Sequence, residues 1–476
     1  MALRAPAHPR GAAAYTALLL ALLAATARAG APPEGVCPSA ADARAGASAR
    51  GAQSGGVREG MRLGYRDVLE LRALLPVELW RNRSVFFHEG MTLEVGACHR
   101  RYPVPRFFAR ATQHFAGRAR LDAEGNLHDH VAGLPFPPDA IDASAPDAGL
   151  RWAWNLERRY RGAGPSGRFR IVDLPSRMGG IQTYLGTWFL LQTGLRADLE
   201  ASGGAVAGAE RSLWIAGGRF DAPSAARHLA WRQLRAPESS TNAAAPDDTF
   251  VYVPGLRKVR RASSAWADGM YVPQYRIGGE AGGGALDPTR DANAVTENLR
   301  RGFEGLALRP NAYRWRLLDA REVLAPLNVA RDGYPLDPAR DFGPSGLSVG
   351  SDRWDVRYAV VIQGALEAPR GDPELLTIYV DSQTQQPLYV IRKRRSGGQL
   401  VAVGVLLHRF SGDVPGYPPW PDGEPAYVFD PVAAIFHEAA DGGSGWRRES
   451  YDVRSLPRAA DEIRRLTSPG FLARGH

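Results

Sequence analysis

Four cations crowd one short stretch, FVYVPGLRKVRR. Arg257, Lys258, Arg260 and Arg261 follow a Pro-Gly break at the end of an apolar run. Guanidinium and ammonium groups this close together attract phosphate or carboxylate oxygens, and arginine does so bidentately. In strand geometry Arg257, Val259 and Arg261 would share one face, with Lys258 and Arg260 on the other. One face can meet an anionic headgroup or a partner; the competing reading is salt bridges to carboxylates of the sheet. A second candidate is His128-Asp129-His130, two imidazoles at i and i+2 on one strand face. Such a pair binds a metal only if a third ligand arrives, and as an exposed hairpin it needs none. There is no P-loop and no HExxH, and no nucleophile elbow is assigned, although Gly346–Gly350 (GLSVG) spells G-x-S-x-G. GPSG around Ser345 reads as a turn, and GGEAGGG as a loose linker. No catalytic residue, metal site or cofactor is assigned, although a catalytic triad is recognised by geometry rather than by sequence order.

A different chemistry is burial of hydrocarbon. In DRWDVRYAVVIQGAL the even positions hold Trp354, Val356, Tyr358, Val360, Ile362 and Leu366, while Arg353, Asp355, Arg357 and Gln363 stand at odd ones. This period-two pattern predicts a long strand with one apolar and one more polar face. Its even face is a candidate wall for an apolar cavity, joined by Tyr184, Trp188, Tyr313 and Trp315 on other strands. The same residues would equally fill an ordinary packed core. An acyl chain sheltered in such a cavity gains about 0.8 kcal/mol per CH₂, with no catalytic residue needed.

The elements that must hold these residues are mostly strands. FRIVDL, IQTYLGTWFLLQTGL, RSLWIAGGRF, RHLAWRQLR and TFVYVP each end at Gly, Pro or a charged turn. LLTIYVD, LYVIRKRR and QLVAVGVLLHRF continue the long strand as an antiparallel meander. So many antiparallel strands imply a strongly curved sheet or open barrel. YRDVLELRALLPVELWRN reads as a helix followed by a strand, and a hairpin is expected around Asp122–Asn126. DAGLRWAWNLERRYRG is a helix with Trp152, Leu156 and Tyr160 on one stripe. The last part is turn-rich and ends in a helix at SLPRAADEIRRL, with Ser455 as N-cap.

The 476 residues carry a formal charge of +9, 53 glycines and 36 prolines. A basic balance suits polyanions of any kind, and compartment must choose among them. Arg4 and Arg10, an apolar run too short to span and stay, and Ala27-Arg28-Ala29 form a secretory signal pattern with cleavage before Gly30. Removing residues 1–29 takes away three arginines and lowers the charge to +6. An exported protein lies away from genomic DNA, so nucleic acid is not its expected partner. It is expected to be peripheral to a membrane at most. Cys37 and Cys98 could pair in an oxidising compartment or stay as two thiols. The expected division is a signal peptide at 1–29, a flexible leader at 30–57, a main domain at 58–410 and a C-terminal extension at 411–476.

Five stretches together resemble a bacterial family, domain of unknown function 1329. They are GLPFP (Gly133–Pro137), WNLERRYRG (Trp154–Gly162), YVPGLRKVRRA (Tyr252–Ala262), NAYRWRLLDAREVLAPLN (Asn311–Asn328) and the meander from Arg353 to Gly404. The resemblance implies a mainly β, α+β fold: a half-open barrel of antiparallel strands, similar to LolA, covered by a few helices. It also implies an acyl-chain cavity on the concave face. The leading reading is an exported, periplasmic, non-catalytic carrier of a lipid or other hydrophobic ligand. Such a carrier would serve outer-membrane lipid or lipoprotein trafficking beside an envelope lipid transporter. The alternatives are a basic envelope module that docks a transporter or lipopolysaccharide without a cavity, and a hydrolase of envelope material.

Overall fold

The computed structural model describes residues 56–174, 181–264, 270–273, 299–302, 307–333, 342–343, 346–366, 374–440 and 443–472. The expected signal peptide and Cys37 lie outside the described residues. Val57 is already buried, so packing begins inside the expected leader.

The chain forms β1 (Arg62–Leu63) and β2 (Leu93–Cys98), then a two-residue ladder of β3 (Arg120–Leu121) and β4 (Leu127–His128). Next come β5 (Ser166–Leu174), β6 (Gln182–Gln192), β7 (Trp214–Ala222), β8 (Ala230–Arg235), β9 (Asp247–Val253) and β10 (Lys258–Ser264). A separate pair, β11 (Met270–Pro273) and β12 (Leu299–Gly302), follows. The last strands are β13 (Tyr313–Ala325), β14 (Arg353–Leu366), β15 (Glu374–Asp381), β16 (Pro387–Arg394), β17 (Leu400–Phe410), β18 (Phe429–Ala440) and β19 (Gly443–Arg454). Fifteen of them make one sheet in the order β1-β2-β14-β15-β16-β17-β18-β19-β5-β6-β7-β8-β9-β10, with β13 also paired to β14. It does not close. Its ladders are antiparallel except β2 with β14.

The described α-helices are short: α1 (Val77–Arg81), α2 (Arg83–Phe86), α3 (Arg106–His114), α4 (Ala148–Arg158), α5 (Ala460–Thr467) and α6 (Pro469–Leu472). VELWR is therefore helical and not the expected strand. Pro76 stands just before it, where a missing N–H costs nothing. α4 ends at Arg158 because Arg159 turns extended, so Tyr160 leaves the stripe of Trp152 and Leu156. Those two pack on Trp315, Val360 and Ile362. Gly149 lets α4 approach β13: a Cβ there would lie 2.5 Å from the Arg316 carbonyl carbon.

The long strand β14 departs from the two-faced expectation. Asp355 and Arg357 are as buried as Trp354 and Val356. Trp354 and Val356 pack with Phe86, Phe87 and Leu324, whereas Val360 and Ile362 pack beneath α4. Polar positions survive there because each is paired. Arg357 grips Asp381 through Nε and Nη2, at 2.7 and 3.2 Å, and donates to the Arg100 carbonyl at 2.6 Å. Tyr102 donates its hydroxyl to Asp355 at 2.6 Å. A buried charge is tolerated when hydrogen bonds and an opposite charge replace water.

The expected boundary at 410/411 does not exist. β18 and β19 sit in the middle of the sheet and join β17 to β5. Two features hid them. Pro431 occupies a register shift opposite His408, a place where a strand can omit an N–H. The charged run Arg447-Arg448-Glu449 is buried, with Arg447 paired to Glu449 at 2.8 Å. Ser455 does not cap the last helix either. Ala459 stands at that N-cap, while Ser455 donates to Asp430 at 2.6 Å.

Candidate ligand site: a groove beside a cationic cavity

The nine expected cavity residues do not gather around one hollow. Tyr184 and Trp188 are buried with Phe220, Trp231 and Tyr451. Trp315, Val360 and Ile362 lie under α4, and Trp354 and Val356 pack in a different cluster, with Phe86 and Phe87. Tyr313 and Tyr358 are half-buried. None of the nine lines the cavities described below. Aromatic and β-branched side chains large enough to wall a cavity are also large enough to fill it, and here they do.

Space for a ligand lies instead at the sheet's rim. A groove of about 830 Å³ runs between α3, the segment 196–210, the turn at 420–424 and the start of α5. Phe107, Leu199, Val206, Trp420, Pro421 and Ile463 supply its apolar surface. Trp420 is fixed by edge contact with Phe107, centroids 5.3 Å apart, and by donating its indole N–H to the Tyr160 hydroxyl at 3.0 Å. Tyr160 in turn donates to the Ala426 carbonyl at 2.9 Å, and burial holds its phenol in the protonated form. Charged groups also line the groove: Arg110, Glu210, Asp422, Glu424, Arg458 and the Arg196–Asp198 pair at 2.5 Å.

Phe107, Arg196, Ala197 and Asp198 also border a second, smaller space. Here the centre of a water-sized sphere can range over about 40 Å³. Arg158 and Arg161, His130 and Gln192 contribute to its walls. Gly162 positions Arg161: it takes a left-handed turn, φ +61°, and a Cβ would meet the Ser455 carbonyl at 2.3 Å. Arg161 donates from Nη2 to Glu157 Oε2 at 3.1 Å, and Glu157 Oε2 also accepts the Leu308 N–H at 2.8 Å. Burial alone would raise the Glu157 carboxyl. The Arg161, Arg235 and Arg158 guanidiniums outweigh that and hold it below the ordinary carboxylate range. Arg158 is pushed down to about 10, first by burial and then by Arg161 and Arg235, against the opposing pull of Glu157. The residues around Arg235 extend the network, since Asp247 accepts from Arg235 at 3.0 Å and Arg309 at 2.6 Å.

The segment that lines the smaller cavity matches a family model. Residues 85–277 match the family model described as Protein of unknown function (DUF1329). The DUF1329 match takes in GLPFP, WNLERRYRG and YVPGLRKVRRA, and stops before NAYRWRLLDAREVLAPLN and the meander. A DUF1329 family protein from Desulfovibrio piger is similar in structure at 9% identity, over 65% of this chain and 92% of that chain, with a TM-score of 0.36. A LolA superfamily protein from Nitrosomonas europaea is similar at 14% identity, over 67% of this chain and 97% of that chain, with a TM-score of 0.32. No curated protein matches the chain.

The basic cluster sits elsewhere, on edge strand β10. Arg257 is in the turn before the strand, in the left-handed conformation, so it does not share a strand face with Arg261. Arg257, Lys258 and Arg260 are exposed, and Arg261 is paired with Asp248 of the neighbouring strand. Charges on a sheet edge also discourage other strands from pairing with it. His128 and His130 do not form a metal-ready pair. β4 ends at His128, and Asp129 turns left-handed. His128 bonds Asp122 at 2.8 Å, while His130 bonds the Gly133 carbonyl at 3.0 Å. Cys98 is disulfide-bonded; Cys37, the chain's other cysteine, lies outside the described residues.

Sequence reasoning passed over Arg158, Arg161, Trp420 and Val206. One signal was legible: ERRYR at the end of an amphipathic helix puts charges where the stripe of Trp152 and Leu156 predicts burial. The groove left no such mark, because residues more than 350 positions apart in sequence, Phe107 and Ile463, meet only in the fold.

Proposed function

We propose that this chain is an exported, non-catalytic protein of the cell envelope that shelters the hydrocarbon part of an amphiphile in the rim groove. The observation that carries the reading is the groove itself: about 830 Å³, lined by both apolar and charged side chains, as an amphiphile requires. That size falls within the range of small-molecule sites, and each buried methylene stabilises the complex by about 0.8 kcal/mol. The signal pattern at residues 1–29 and the disulfide at Cys98 support an oxidising compartment outside the cytoplasm. Among the described residues no helix is long and apolar enough to cross a membrane. The exposed cations Arg257, Lys258 and Arg260 offer a docking surface for an anionic partner, for which an envelope lipid transporter is the proposed class.

Native mass spectrometry of gently purified protein tests this. Adducts with the masses of acyl-chain lipids are expected. Protein that carries none, and gains none after mixing with phosphatidylethanolamine–phosphatidylglycerol vesicles, would refute the groove's role and leave a basic docking module.

A further inference from the structure

Buried polar atoms without a partner gather on the residues around the small cavity beside the groove. Arg158 Nε, Arg161 Nε and Nη1, His130 Nδ1 and Gln192 Oε1 are all buried without a hydrogen-bond partner among the described residues. All four side chains line the same space. Arg158 is 8% exposed and Arg161 6%. Buried N–H groups are nearly always paired, and an orphan costs about 1–3 kcal/mol, more for a charged group. Five such atoms on four residues that border one cavity point to a missing ligand.

The orphans also describe that ligand. Three are guanidinium N–H groups on two neighbouring arginines, which call for oxygens carrying negative charge. Water would satisfy the hydrogen bonds but not the charge, since Glu157 already faces Arg161, Arg235 and Arg158 together. His130 adds a different demand. Its Nε2 donates to the Gly133 carbonyl, so Nδ1 presents a lone pair and needs a proton from the ligand. Gln192 can present either its carbonyl or, by turning the amide over, its NH₂. A ligand with anionic oxygens and one O–H meets all of these, and hydrogenphosphate or a phosphomonoester monoanion has both. The space suits it, because a single water needs about 10–15 Å³ by the same measure and 40 Å³ is available.

We propose that Arg158, Arg161, His130 and Gln192 form a binding subsite for a phosphomonoester group, free or as the headgroup of an amphiphile whose chain lies in the adjoining groove. The headgroup form rests on the groove reading; the phosphate site itself does not. Arg196, stacked over Trp420 and bonded to Asp198, stands in the wall shared by the two spaces.

The test is isothermal titration of the full chain, at constant ionic strength, with inorganic phosphate, sulfate, dodecyl phosphate and dodecanol. Saturable phosphate binding that sulfate does not match is expected. Arg161→Gln should weaken it roughly 10- to 100-fold, the worth of one charged hydrogen-bonding group. Arg158→Gln gives a second reading should Arg161→Gln unfold, and the wild-type contrast of phosphate with sulfate depends on neither. Tighter binding of dodecyl phosphate than of inorganic phosphate would place the phosphate on an amphiphile, and equal binding would make free phosphate the ligand. Sulfate binding as well as phosphate, dodecanol binding as tightly as dodecyl phosphate, or folded variants with wild-type phosphate affinity would overturn the subsite. Phosphate bound with dodecanol unbound, and dodecyl phosphate no tighter than inorganic phosphate, would overturn the groove reading alone.

Discussion

Ala207→Trp should close the groove while leaving the fold alone. Ala207 is exposed, lines the groove, and sits in the turn segment between Gly204 and Gly208. Its side chain supports no hydrogen bond and belongs to no hydrophobic cluster, so an added indole costs no core contact and gains by packing on the apolar side chains of the groove. There it would take the place of about four methylenes of an acyl chain. At about 0.8 kcal/mol each, the loss is about 3 kcal/mol, or about 150-fold in affinity. The assay is displacement of a fluorescent C14 fatty-acid probe, run beside a thermal melt, with Ala207→Ser as a control that should bind like wild type. A folded Trp variant that binds the probe with unchanged affinity would show that the chain does not lie in this groove.

Two further outcomes check the energetics of the core. Burial raises the Asp430 carboxyl to about 6, against hydrogen bonds from Ser455 and Tyr417 that favour its ionised form. A raised folded value favours the protonated folded state, so this stabilisation is complete below about pH 4 and fades as pH rises through 6. Its full size is about 3 kcal/mol. Asp430→Asn should flatten the stability profile between pH 4 and 7 in urea unfolding, starting about 1 kcal/mol below wild type at pH 4 for one lost hydrogen bond and overtaking it as pH rises; profiles of equal slope would refute the burial argument. Arg357→Ala leaves Asp381 charged and buried, and should cost about 3–5 kcal/mol. Combining it with Asp381→Leu should recover part of that loss by chemical denaturation; strict additivity would show that the two side chains do not act as a pair.

Much of the fold was legible because alternation is local. The strands β5 to β9 and β13 to β17 stand where apolar periodicity and Gly or Pro breaks placed them. β18 and β19 were not legible, since their buried charges read as solvent-facing turns. Arg447 and Glu449 are hidden only because they face each other, and no window of sequence reports that they do. The family match covers the segment that lines the smaller cavity, and WNLERRYRG holds two of the four residues proposed for phosphate.

Composition and pattern by themselves determined a basic, mostly β chain with a secretory leader pattern. They also supplied a list of apolar side chains able to bury a ligand. Tertiary structure alone decided which of them did: the strand aromatics pack against α4 and against one another, while Phe107, Val206, Trp420 and Ile463 leave a groove open. The physical reason is that periodicity reports which residues shun water, but whether they meet each other or surround an empty volume depends on how distant segments dock.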